Sequence, residues 1–471
     1  MAATVGFTVV SAVKFASFRY GFDTAVVLNV LWRLAHGYDS VTALTGFAHL
    51  SDHPSLLLLT LVPLTRLAGP WIPQLLFALQ ALSTAMVAWS VWRLARARGL
   101  DMGVSVSLYL VTLLGAGSWF AATGEFHIVD LALGPLAAVA ANHALDRPGR
   151  AVFWAAVAAS ARIEIAVVII IMGLVILREK RRSGFSLMGV GAVVGTVLMV
   201  IGSLSNGGGV SFAAHLGHLG SSPIEALGTI ARHPFELFRP LGNPIMLIAL
   251  FFWLASFAAL PVVLGGRWLL PALPMLAIPM LGTWTPADWY FEHYWHVLLV
   301  FGAVAAVEGL LRLRASPKTL SLLLVGSSLV VWVAFGPLSP HMPVGWRLDL
   351  ARPDPAATEV ALHVPPSESL SVPLNLAPSF ALRRSITFFP RPFSCEGTES
   401  LLPGLLAPGA EPPETVVATD GWPPQDDGVW AALRNHYRLG FTVGEYGVWQ
   451  LQDRVGASTL AVDCYSGEPE P

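Results

Sequence analysis

Apolar runs of membrane-crossing length alternate with short polar breaks through the first two thirds of the chain. They fall at 2–18, 71–92, 103–121, 127–145, 185–204, 244–265, 268–284, 293–311 and 319–337. Each approaches the ~20 residues a helix needs to cross ~30 Å of hydrocarbon. Two runs are different: 54–69 is short, and 151–177 is long but interrupted by Arg162 and Glu164. From about Gly336 the pattern gives way to proline-rich sequence of mixed polarity. There the period predicts strands at 369–373, 385–389 and 414–419, a helix at 428–437, and a hairpin over 440–451 turning near Gly444. The expected fold is an all-α polytopic membrane domain over 1–338, followed by a small α/β domain over 339–471.

Composition agrees. Only 12% of the 471 residues are charged and 54% are hydrophobic, where a soluble chain carries about twice that charge. The net charge of −2 gives no argument for nucleic acid as a partner. The first run starts near Met1 without a basic stretch, and further spans follow it. It is expected to be a retained span rather than a cleaved signal.

Basic clusters set the orientation. They lie at Arg93, Arg96 and Arg98; at Arg147 and Arg150; at Arg178, Lys180, Arg181 and Arg182; and at Arg312, Arg314 and Lys318. All four share the cytoplasmic side only if 54–69 and 151–177 each enter and leave on one side, as re-entrant or interfacial elements. The chain then starts inside, makes nine full crossings and ends outside. Eleven full crossings would place the clusters at 93–98 and 147–150 outside. With nine, the segments 19–53, 122–126, 206–243 and 285–292 face outward, so His36, His49, His53, His127, His215, His218, His233, His293 and His296 gather there. The chemistry is therefore expected on the outer face. Cys395 and Cys464 both fall in the outer domain, where they either pair or remain thiols.

Polar groups at a bilayer edge are costly, and each has two readings. Asp23 opens an amphipathic stretch in which Phe22, Val26, Val30 and Leu34 form one stripe and Asn29, Arg33 and His36 another. The stretch suits a helix lying in the interface. Asp23 is then either a first-turn acid of that helix or a general base at the lip of a cavity. Asp52, followed by His53 and Pro54, reads as a helix cap, whereas His53 has no such structural duty. Glu125 and His127 alternate around Phe126, and Asp130 needs a partner because it sits about a turn inside the membrane. Arg162 and Glu164, at i and i+2, do not face each other on a helix. They predict a bend, with each charge meeting a different helix, in an architectural network or a substrate role. Lys14 and Arg19 at the outer end of the first span, together with Arg232 and Arg239, suit an anionic lipid phosphate. His293 and His296 at i, i+3 have metal-ligand spacing.

The order of these features resembles a known family. FDTAVVLNVLWRLAHG, then SDHPS opening an apolar helix, then EFH, are followed by ARIEIA, HLGHLGSSPIEAL, HPFELF, EHYWHVLLVFGAVAAVEGL and APSFALRRSITFFP. Together they resemble the bacterial predicted membrane protein family called domain of unknown function 2079, to about residue 450. That family looks like the GT-C class of membrane glycosyltransferases, which use polyprenyl-phosphate sugars on the outer face. The resemblance implies a GT-C-like fold in the bacterial cytoplasmic membrane. It also implies Asp23 as the acid of the first outer loop, with Glu125 or His127 as the second. The chain departs from the family where its Phe-Asp-Phe-His-Pro-Glu turn becomes Gly-Glu-Phe-His-Ile-Val-Asp, and where a glutamine becomes Asn29.

The expected function is transfer of a hexosyl or pentosyl group from a polyprenyl-phosphate donor to an extracytoplasmic glycan, lipid or protein. Asp23 would be the catalytic base, and Lys14, Arg19, Arg33, His53 and Arg232 would hold substrate or phosphate. A divalent metal, if used, would fall to Glu125 and His127 with His53, while Arg162, Glu164 and Asp130 would be structural charges. A non-catalytic scaffold and a lipid or solute transporter are the alternatives. A transporter would spread polar groups through the midplane, whereas this chain concentrates them at one lip.

Overall fold

The computed structural model describes residues 1–205, 217–220, 223–235, 243–282, 289–340, 342, 354–389, 413–419 and 427–452. His215, Arg239, Cys395, Cys464 and most of 206–243 lie outside these.

The molecule is mostly helical, with a small sheet near its C-terminal end. Helices α1 (Ala2–Ala16), α2 (Phe22–Ala35), α3 (His49–Asp52), α4 (Leu56–Ala68), α5 (Ile72–Ala97), α6 (Met102–Leu114) and α7 (Ala116–Thr123) come first. After them come α8 (Leu133–Ala144), α9 (Pro148–Ala159), α10 (Ile163–Leu177) and α11 (Arg181–Leu204). Among the described residues, Leu56–Ala97, Arg181–Leu204, His293–Leu310 and Pro317–Phe335 are each long and apolar enough to cross a membrane. The pair α6–α7, bent by 42°, would make a fifth. Among the described residues, the other expected runs form shorter helices or are divided into them. The run 127–145, for example, is a 3-10 turn at Ile128–Ala132 followed by α8. The apolar window of His293–Leu310 is 94% buried, against 22% for α11 and for Pro317–Phe335, so the first is central and the other two peripheral.

Four helices run in the same direction, from the cavity end to the basic end. α5 runs from Gln80, beside Glu125, to Arg98; α8 runs from the Asp130 turn to His143; α10 runs from Arg162 to Glu179; and the central helix runs from His296 to Glu308. Glu179 and Glu308 bind Arg98 and Arg267, Lys180 binds Asp146, and Arg312 donates to the Leu264 carbonyl. The basic clusters therefore gather at one end of the bundle, as the sidedness argument required. α9 begins and α10 ends there, and the break at 160–162 joins them at the opposite end, so both ends of 151–177 lie at one end of the bundle.

Two expectations near α2 are corrected. α4 is capped by Ser55, whose Oγ accepts from the Leu58 amide at 3.0 Å. Asp52 instead ends α3, because Ser55 is extended and directly precedes the helix, while Asp52 lies three residues too early. Nor does α2 rest on the interface with its polar stripe in water. Asn29 is fully buried, donates to the Ala381 and Arg383 carbonyls at 2.9 and 2.8 Å, and accepts from Thr42 at 2.7 Å. Arg33 donates to the Arg384 carbonyl at 2.8 Å. The stripe is a seam to the C-terminal domain. Gly69, at φ +53°, lets the chain turn out of α4 into α5.

The C-terminal sheet has the order β2-β1-β3-β5-β4, from β1 (Leu370–Val372), β2 (Ile386–Phe388), β3 (Thr415–Thr419), β4 (Tyr437–Val443) and β5 (Tyr446–Leu451). β1 is parallel to β2 and β3, and β5 is antiparallel to β3 and β4. All five strands match the sequence reading, as does the helix Asp427–His436, and Gly444 makes the hairpin turn at φ +57°. One apolar cluster joins Val26, Val30, Leu58 and Phe77 of the bundle to Val360, Leu370, Ile386 and Val448 of this domain. The two parts share a core.

Candidate active site

At the end opposite the basic clusters lies a cavity of 210 Å³. Its walls are Phe22, Asp23, Val26 and Val27 of α2; Thr45, Phe47, His49, Asp52 and His53; His127, Ile128 and Val129; Arg162; and Glu292, His293 and Tyr294. Five stretches distant in sequence thus converge.

Asp23 is free to serve the cavity because another residue caps its helix. Glu125 accepts from the Gly21 amide at 3.1 Å and the Thr24 amide at 3.0 Å, satisfying N–H groups that every helix leaves without partners. Thr24 Oγ1 accepts from the Phe126 amide, and Gln80 bonds the Glu125 carbonyl and the His127 amide. This locks the 125–127 turn against α2. The Asp23 carboxylate opens into the cavity, 42% exposed, with an oxygen 3.9 Å from His127 Nε2. Burial raises Asp23 to about 6, with Arg162 opposing the rise. Burial and the neighbouring Asp23 raise Glu125 to about 7, against its three backbone hydrogen bonds.

Opposite Asp23, the His127 and His293 rings stack with centroids 3.8 Å apart. Glu292 is pushed well above the usual carboxylate range by burial and then by Asp23, Glu125 and Asp130. Donor atoms of His127, Glu292 and His293 lie within 4.8 Å of one another. His293 Nδ1 is buried and has no hydrogen-bond partner among the described residues. Two imidazoles and a carboxylate at this spacing fit a divalent cation with a position left for substrate or water.

The remaining charges are accounted for locally. Arg162 binds Glu164 through two bonds of 2.7 and 3.1 Å. The expectation that they meet different helices fails because Arg162 is not helical: it is extended, just before α10, so helical i, i+2 geometry does not apply. Asp130, fully buried, has the partner it required in His296 Nδ1 at 2.9 Å, and His296 Nε2 contacts the Phe291 carbonyl. His293 and His296 therefore serve different sites. Asp52 and His53 pair at 3.1 Å on the cavity wall.

Of the residues expected to act, the cavity collects Asp23, His53 and His127, and it adds Arg162, expected as a structural charge. Glu125, expected beside His127 as a metal ligand, spends its carboxylate on α2, and Glu292 takes that place. Lys14 is buried and donates to the Thr123 carbonyl at 2.6 Å. Arg33 is paired with Asp39. Arg19 and Arg232 are exposed and lie off the cavity wall. Glu292, Tyr294 and His49 escaped the expected set, and His293, singled out for its spacing to His296, instead groups with His127 and Glu292. The run EHYWH was visible, but nothing in local spacing ties it to a turn more than 160 residues earlier.

Residues 15–403 match the family described as predicted membrane protein, DUF2079. The chain belongs to that family. No curated protein matches it. Among solved structures, this DUF2079 protein is similar to the crystal structure of ArnT from Cupriavidus metallidurans bound to undecaprenyl phosphate. The TM-score is 0.57 at 15% identity, covering 97% of this chain and 98% of that one. The fold of this DUF2079 protein is GT-C-like, and it is an integral membrane protein.

Proposed function

We propose that this protein is a GT-C-type glycosyltransferase of the bacterial cytoplasmic membrane, with its basic loops inside and its cavity and C-terminal domain outside. It transfers a sugar from a polyprenyl-phosphate donor to an extracytoplasmic acceptor. The observation that carries this reading is Asp23: a carboxylate relieved of capping duty by Glu125, aimed into a cavity, and raised to about 6. Asp23 takes the proton of the acceptor hydroxyl as that oxygen attacks the anomeric carbon. The bond to the donor phosphate breaks, and the phosphate leaves with the electron pair. Arg162, held by Glu164, and His53 stand on the cavity wall to face phosphate oxygens. His127, Glu292 and His293 would hold a divalent cation, which when bound supplies positive charge for the leaving phosphate. The GT-C-like fold, and the lipid phosphate carried by the ArnT structure, support the donor class.

The test is a deletion strain complemented with wild type or Asp23→Asn, with surface glycans and lipid-linked sugars profiled by mass spectrometry. Restoration by wild type alone is expected. Unchanged profiles in both the deletion and the Asp23→Asn strain would refute transfer.

A further inference from the structure

A second cavity, of 710 Å³, lies at the other end of α2, and its walls include Trp32, His36, Arg66, Pro70, Pro366 and Leu382. α2 has 14 residues, so this end stands about 20 Å from Asp23 at the 1.5 Å helical rise. It is a separate site. Arg66 reaches across it: Nε donates to the Ala35 carbonyl at the end of α2. Among the described residues, the terminal nitrogens of Arg66 have neither a hydrogen-bond nor an acidic partner. His36 stacks on Trp32 at 4.1 Å, and Tyr38 lies 6.0 Å from the same indole. Arg33 and Arg384 stand over Tyr38 at 5.5 and 5.7 Å. The rim is thus cationic, and its acid, Asp39, is engaged by Arg33.

The flank of the groove is apolar. Leu67 and Trp71, next to the lining residues Arg66 and Pro70 in sequence, are exposed. In an integral membrane protein, an arginine and a tryptophan beside an exposed leucine mark the level where headgroups meet hydrocarbon.

We propose that this groove binds the phosphate headgroup of an anionic membrane lipid. The terminal N–H groups of Arg66 donate to the phosphate oxygens, Trp32 and His36 floor the headgroup, and the acyl chains lie over Leu67 and Trp71. A guanidinium fork matches phosphate geometry, and the apolar flank matches a lipid rather than a free anion.

The full chain, reconstituted in phosphatidylcholine nanodiscs and titrated with phosphatidylglycerol, tests this by native mass spectrometry. Wild type should retain phosphatidylglycerol saturably, Arg66→Gln about tenfold more weakly, the loss of one charge-assisted hydrogen bond, and Arg66→Lys in between. Asp23→Asn should bind as wild type does, and inorganic phosphate should not displace the lipid. Equal retention by wild type and a normally folded Arg66→Gln would overturn the proposal, as would displacement by inorganic phosphate or equal retention of phosphatidylcholine. No turnover is measured, so the outcome is independent of whether the protein transfers sugar.

Discussion

At the basic end of the bundle, Glu179 meets Arg267 at 2.5 Å, His143 at 3.2 Å and Arg98 at 3.5 Å, and Glu308 meets Arg98 at 2.9 Å and Arg267 at 3.6 Å. At the cavity end, the one basic side chain within 4 Å of the Asp23 carboxylate among the described residues is His127, at 3.9 Å, and Glu292 faces the imidazoles of His127 and His293. The residue types are the same. The first arrangement compensates each carboxylate with cations drawn from separate helices and so ties those helices together. The second leaves carboxylates short of cations beside an open volume, a costly arrangement that marks a place for chemistry.

The comparison is broken most severely at Asp23. Asp23→Asn should lower transfer by about 10²- to 10⁴-fold, the contribution of a general base, with the protein still folded. An equal loss of fold would make Asp23 a structural acid like Glu179. Asp130→Asn probes a compensated pair at the cavity end. Leaving His296 facing a neutral amide in a fully buried place should cost roughly 3 kcal/mol, read as a fall in melting temperature rather than a selective loss of activity.

Asn29→Ala cuts the seam between α2 and the C-terminal domain. Two carbonyls and one hydroxyl lose their partner, and a cost of about 1–3 kcal/mol is expected, with faster proteolysis of the C-terminal domain. If the domain stays as resistant as in wild type, the seam is not what holds it.

The pH response separates function from stability. As a base, Asp23 must be ionised, so transfer should fall as pH drops through about 6. Stability should move the other way. Asp23 and Glu125 titrate higher in the fold than their ordinary values of 3.8 and 4.5, so the folded state holds their protons more tightly. Their favourable contribution is present at low pH and is lost as pH rises toward about 6 and about 7. Asp23→Asn should therefore melt above wild type at neutral pH, and the two curves should converge below about pH 4, near the unfolded carboxylate value. The smallest effect is expected at the exposed Arg33–Asp39 pair, where Asp39→Ala should change stability by less than about 1 kcal/mol.

Much of the architecture was legible because it is written locally. Apolar runs report burial in lipid, and basic clusters report an end of the bundle. Alternation with Gly444 reports a hairpin. The errors came where the exact start of a helix, or a neighbour distant in sequence, decided a residue's duty. Asp52 has the pattern of a cap, but Ser55 stands closer to the first turn. Arg162 and Glu164 cannot pair on a helix, yet they pair because the helix starts after Arg162. Glu125 has the look of a ligand, yet its oxygens are taken by amides about a hundred residues earlier in the chain.

The sequence by itself determined a membrane-embedded helical body, a small α/β domain and a single end rich in acids and histidines, while the family resemblance pointed to Asp23. Hydrophobic period and charge placement are properties of neighbouring residues, so one chain suffices to read them. The tertiary structure decided which of those polar groups share a cavity. Only the packing of α2, the 125–130 turn, the 160–162 break and the 289–296 segment brings Asp23, Arg162, His127, Glu292 and His293 within reach of one another. A carboxylate's role depends on which donors its oxygens meet in space, and that distinction separates Glu125 from Asp23.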